Sequence, residues 1–285
     1  MRRVLTALLT LVLLSGCSAA ESAEVPKGIS LSVYQNRTDV EARTLEVSFL
    51  NETDGVLTVT RLELRASQFV GVALWPRAST TIPSGATISL PVPLPGADCA
   101  AAPTAATVEF DYRLANGRAG TAVAEPVDTL TRLPGIREDD CIAVSVASVV
   151  DIRSASVLRL STVAGRPVAE IDLVLTPTGA GGSVTLESAS STTLLTPVGP
   201  DGVDAAESAI DREIVGTDAP STVTLAYAPN RCDAHAIAED KRGTIFPVAV
   251  TTSDGFAGHL YLASSVELRG ALYDFVRTTC GLPLD

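Results

Sequence analysis

Three groups of residues in this chain have the types and spacing to do chemistry. Asp233, His235 and Glu239 lie in the stretch Arg231 to Gly243. An imidazole and a carboxylate four residues apart share a helical face, and with a third ligand they can converge on a metal ion. The competing reading is a short charged helical turn in water, favoured because zinc sites use more His or Cys than this. Asp98, Glu138, Asp139 and Asp140 form the second group. A bridge between Cys99 and Cys141 would gather these carboxylates at one junction, where hard oxygens suit Ca²⁺; the alternative is a solvated acidic linker. Phe69, Trp75 and Arg77, within residues 67 to 79, make the third. A Trp beside an Arg on a loop is a typical binding anchor, and a core Trp of a sandwich is the other reading.

Catalysis is not expected. The two histidines, His235 and His259, lie far apart, and no GxSxG elbow, HExxH pair or nucleotide-binding glycine loop occurs. Aromatics make up 4% of residues, too few for a sugar-stacking platform, and the only methionine is Met1, which argues against a copper carrier with Met ligands. The formal net charge of -12 speaks against nucleic acid and against electrostatic attraction to anionic lipid.

These groups must be positioned by elements whose address is written at the N-terminus. Arg2 and Arg3 precede an apolar run from Val4 to Leu14, too short for a spanning helix but suited to a signal peptide. The run leads into Leu14-Ser15-Gly16-Cys17, which resembles the lipobox of bacterial lipoproteins. The resemblance implies cleavage after residue 16 and acylation of Cys17 with diacylglyceryl and acyl chains, holding the protein on the outer side of the cell membrane. Residues 17 to 27 are expected to be the lipidated N-terminus and tether. Ten extended residues reach about 35 Å at most. Lysine occurs only at Lys27 and Lys241, and the excess of arginine over it suggests a GC-rich, actinobacterial source. The stretch from Arg231 to Gly243 is also similar to one in actinobacterial exported proteins.

With Cys17 assigned to lipid, Cys99, Cys141, Cys232 and Cys280 remain, an even number for an oxidising compartment. Four cysteines allow three connectivities, and an internal repeat selects one. Cys99, the strand-like 107–112, the turn Asn116-Gly117 and Cys141 follow one another as do Cys232, 244–250, Asp254-Gly255 and Cys280. From turn glycine to last cysteine is 24 residues in one copy and 25 in the other. Upstream, residues 43–64 are aligned with 156–175, each being two alternating runs about a glycine turn. The pairs Cys99–Cys141 and Cys232–Cys280 follow.

The expected fold is mainly β, two tandem antiparallel β-sandwiches covering 28–141 and 142–285. Leu45, Val47 and Phe49 alternate with Glu46 and Ser48, as a half-buried strand requires, and turn signals recur at short intervals. Each copy resembles an immunoglobulin-like or fibronectin-like domain, a likeness of architecture that carries no function. Residues 264–279 read as a C-terminal helix, with Ser264 and Glu267 as a capping box and Leu268, Leu272, Phe275 and Val276 on one face. The function expected is a non-enzymatic module of the cell envelope, binding an envelope protein or cell-wall component. The alternative is a small-ligand or Ca²⁺-binding lipoprotein.

Overall fold

The computed structural model describes residues 24–40, 42–240 and 242–283. The signal peptide and Cys17 therefore lie outside the described residues. The first domain holds β1 (Ile29–Tyr34), β2 (Thr44–Asn51), β3 (Leu57–Arg65), β4 (Val72–Leu74), β5 (Thr80–Ile82), β6 (Thr87–Pro93), β7 (Thr107–Leu114) and β8 (Ala119–Ala124). They form a sheet β1-β2-β6 facing a sheet β4-β3-β7-β8, with β5 also on β3. A helix α1 (Arg132–Val149) follows. The second domain begins with β9 (Val150–Ser154), β10 (Arg159–Val163), β11 (Arg166–Pro177), β12 (Ser183–Ser190), β13 (Leu195–Pro197), β14 (Glu207–Val215) and β15 (Ser221–Pro229). It closes with α2 (Ala234–Ala238), β16 (Ile245–Thr252), β17 (Ala257–Ala263) and α3 (Val266–Cys280). Its sheets are β10-β11-β15-β13, with β9 also on β11, and β14-β12-β16-β17. All strand pairs are antiparallel.

Period-2 burial builds each core. Leu45, Val47 and Phe49 of β2 meet Val108 and Phe110 of β7 in a core that includes the edge-to-face pair Phe49–Phe110, 5.0 Å between centroids. In the second domain Ile171, Leu173 and Leu175 oppose Val184 and Leu186, with Tyr227 and Phe246 5.1 Å apart.

The repeat is real, but its upstream half is in a different register from the one the sequence suggests. Residues 43–64 and 156–175 are not equivalent. The second segment is the hairpin β10–β11 within one sheet, whereas β2 and β3 lie in opposite sheets. The equivalent crossover in the second domain is β11 to β12. Matching β1, β2, β6 with β9, β11, β15 and β3, β7, β8 with β12, β16, β17 superposes the connectivity of the two copies. Both β3 and β12 carry a register shift mid-strand, after Val59 and after Leu186. Alternation alone does not tell a hairpin turn from a sheet-to-sheet crossover, which is why the sequence gives the wrong partner here.

Each copy ends in a helix bearing the second cysteine of its own disulfide. Cys99, between β6 and β7, joins Cys141 on α1, and Cys232, between β15 and β16, joins Cys280 on α3. The Cα atoms are 5.5 and 5.2 Å apart. Arg137 strengthens the first attachment by donating to the carbonyls of Cys99 and Ala101, both at 3.0 Å.

The expected boundary at Cys141 falls within helix α1. Its start is capped by Asp128, whose carboxylate accepts from the backbone N–H of Arg132 (2.7 Å) and of Leu133 (2.9 Å). Pro134 sits in the first turn, where its missing N–H costs nothing. Leu133 and Ile136 join the first core, and Ile142, Val146 and Val149 join the second. Gly258 on β17 makes room for this packing: its φ is +155°, and a Cβ there would lie 2.6 Å from Ile142 Cδ1. The C-terminal helix runs Val266–Cys280, with Ser265 rather than Ser264 as its cap. Ser264 instead donates to the Thr244 carbonyl at 2.7 Å.

Asp254, in the β16–β17 turn, ties α1 to the second domain. It accepts from Ser145 Oγ at 2.5 Å and from Thr252 Oγ1 at 2.6 Å. Those two hydroxyls, Ser145 foremost, hold its carboxyl below the ordinary value of 3.8. A carboxylate depressed in the folded state stabilises the fold above its unfolded pKa, and that stability is lost as pH falls through the folded one. Asp254→Asn is thus expected to flatten the acid limb of stability below about pH 4. Urea midpoints across that range check it, and an unchanged slope would refute the link.

Candidate functional site

The two sandwiches and α1 enclose a cleft of about 370 Å³. Its walls come from five places: the β1–β2 connection, one face of α1, the loop before β16, strands β16 and β17, and α3. On α1 the contributors are Arg132, Ile136, Asp139, Asp140 and Ala143, spaced to share one helical face. Val40, Ile136, Ile245, Leu260 and Tyr261 give the cleft an apolar lining.

Among the described residues around that lining stand five arginines, Arg37, Arg43, Arg132, Arg242 and Arg269, against two acids, Asp139 and Asp140. Two arginines are engaged. Arg43 holds Asp140 in a two-pronged pair, Nη1 to Oδ1 and Nη2 to Oδ2 at 2.9 Å, and reaches the Pro95 carbonyl at 2.8 Å. Arg132 donates from Nε to Gln35 Oε1 at 2.8 Å and lies 4.0 Å from Asp139. The other three make no ion pair among the described residues. The Arg242 guanidinium lies over the Tyr261 ring, 4.9 Å from its centroid. Arg269 keeps its Nε buried without a hydrogen-bond partner. Burial raises the Asp139 carboxyl above its ordinary value, opposed chiefly by Arg132.

The residues singled out in the sequence separate in space. Asp98 turns back on its own loop, accepting from the backbone N–H of Ala100 and Ala101, both at 3.1 Å. Glu138 is exposed, Asp139 faces the cleft and Asp140 is committed to Arg43. Asp139 and Asp140 share the cleft face of α1 while Glu138 points about 100° away from its neighbour Asp139, so the three do not present one face. Among the described residues no three His, Cys, Asp or Glu are grouped to hold a metal, so Asp98, Glu138, Asp139 and Asp140 are not brought together as one set of ligands. The same holds for Asp233, His235 and Glu239. Asp233 caps α2 by accepting from the His235 N–H at 3.0 Å, His235 is exposed, and Glu239 ends the helix. Phe69 and Trp75 are each 6% exposed in the first core, so the anchor reading gives way to the core reading. Arg77 alone of that group is exposed.

The cleft arginines escaped the sequence reading because they come from four separate stretches of chain. Arg242 stood inside the 231–243 stretch, and Arg269 sat on the polar face of the C-terminal helix. Either is an ordinary surface charge until the fold brings them together.

No family model matches the chain, and no curated protein matches it. Among solved structures it is similar to a FixG-related protein from Vibrio parahaemolyticus, 20% identical over 36% of this chain and 98% of the other, with a TM-score of 0.22. It is similar also to the YadV chaperone, at 12% identity over 82% of this chain and 100% of that one, TM-score 0.22. The CsuC–CsuE chaperone–tip adhesion complex of Acinetobacter baumannii matches at 8% identity over 83% of this chain and 99% of the other, TM-score 0.18. At these TM-scores none of them bears on function.

Proposed function

We propose that this chain is an exported, lipid-anchored and non-enzymatic binding module of the cell envelope, and that it binds in the cleft between its two sandwiches. The observation that carries this reading is the cleft itself: an apolar lining within the size range of ligand pockets, edged by guanidinium groups and, among the described residues, without histidine or cysteine. His235 and His259 are exposed and do not line it. Two disulfides suit an oxidising compartment. No helix among the described residues is long and apolar enough to cross a membrane, so attachment would rest on the acyl chains of Cys17.

The anchor is tested by palmitate labelling in an actinobacterial host. The wild type should take up label and sediment with membranes, while Cys17→Ala should lose both. Label retained by Cys17→Ala would refute the lipid assignment without touching the cleft.

A further inference from the structure

We infer that the cleft takes a small amphiphilic anion: an apolar body seated on Val40, Ile136, Ile245 and Leu260, with a phosphate or carboxylate held by Arg242 and Arg269. This rests on the reading of the cleft as the binding site and names the chemistry of its ligand.

The charge is the first argument. The chain as a whole is formally -12, yet the described residues of the cleft lining include five arginines and two acids. Guanidinium groups concentrated in one concavity of an acidic protein focus positive potential there. The second argument is pairing. Arg43 and Arg132 spend their donors on Asp140, Pro95 and Gln35, whereas Arg37, Arg242 and Arg269 make no ion pair among the described residues. Arg269, half-buried at the cleft wall, keeps its Nε without a hydrogen-bond partner, so the guanidinium is not saturated by its own surroundings. The third argument is the lining. A fully polar anion would leave the half-buried Val40, Ile245 and Leu260 facing water, and a neutral apolar ligand would leave the guanidiniums unpaired. One molecule carrying both parts satisfies both. Tyr261, 42% exposed and stacked under Arg242, marks where the two parts meet.

The experiment is calorimetric titration of the full disulfide-bonded chain with decyl phosphate, decanoate, decyl glucoside and inorganic phosphate, each below its micelle concentration. Three proteins are compared: wild type, Arg242→Gln/Arg269→Gln, and Ala143→Trp, which fills the cleft from α1. Decyl phosphate or decanoate should bind wild type at least about tenfold tighter than decyl glucoside or inorganic phosphate. The double variant should lose about tenfold for the anions and little for the glucoside. Comparable binding of decyl glucoside, abolished by Ala143→Trp, would overturn the anionic ligand while leaving the cleft as a binding site. Binding of any ligand that Ala143→Trp does not weaken, or no binding at all, would overturn both. Inorganic phosphate matching decyl phosphate would overturn the amphiphile. Thermal melts of the three proteins show that each is folded.

Discussion

Replacing Cys99 and Cys141 together by serine is expected to lower the unfolding free energy by about 4 kcal/mol. The bridge closes a loop of sequence separation 42, and most of its stabilisation comes from restricting the unfolded chain. The folded side adds to the loss. Cys141 is 1% exposed, so serine there buries a hydroxyl. Arg137 still pins the Cys99 loop by its carbonyls, so the native geometry should survive in the folded fraction. The second bridge makes an internal comparison. It closes a similar separation of 48, but Cys232 is exposed and Cys280 half-buried. Serines at those positions should cost the chain-entropy part alone. Urea unfolding of both double variants in parallel checks the ranking. A loss below about 1 kcal/mol for Cys99/Cys141 would mean that the unfolded chain is already compact around that loop.

The ranking depends on which parts of the fold the sequence made visible. Strands were legible wherever one face is buried, because Leu45, Val47 and Phe49 must then alternate with polar neighbours. Both cysteine pairs could be read because spacing survives in a repeat after identity has faded. Helix α1 is not legible in the sequence, although Cys141 aligns with Cys280, which follows the helix read over 264–279. Its sequence hides it: Pro134 and Gly135 stand near its start and β-branched Ile142, Val144, Val146 and Val149 recur through its second half. It also buries different faces in two different cores, so no single apolar stripe runs its length. Tertiary packing, not local preference, makes this helix. The cleft shares that origin, since Arg37, Arg43, Arg132, Arg242 and Arg269 meet only when α1 is in place.

That dependence sets the second large effect, expected from Val144→Pro. Val144 lies on α1 with its side chain 59% exposed, so substituting it removes little packing. Proline removes the N–H that reaches back to Asp140 and its ring clashes with that carbonyl, costing about 3 kcal/mol. Val144→Ala keeps the backbone and should change stability by no more than about 0.5 kcal/mol. The break falls between Ile136, which belongs to the first core, and Val146 and Val149, which belong to the second. One rigid rod through two cores makes them unfold together, and a kinked rod does not. The wild type should therefore melt in one transition and Val144→Pro in two, followed by calorimetry. Asp139 and Asp140 sit on the N-terminal side of the break, while Arg242 and Arg269 belong to the second domain. The same variant should therefore spread the two walls of the cleft and weaken whatever it binds. Two transitions already present in the wild type would show that α1 joins the sandwiches without coupling them, and the cleft would then be free to open and close about the helix.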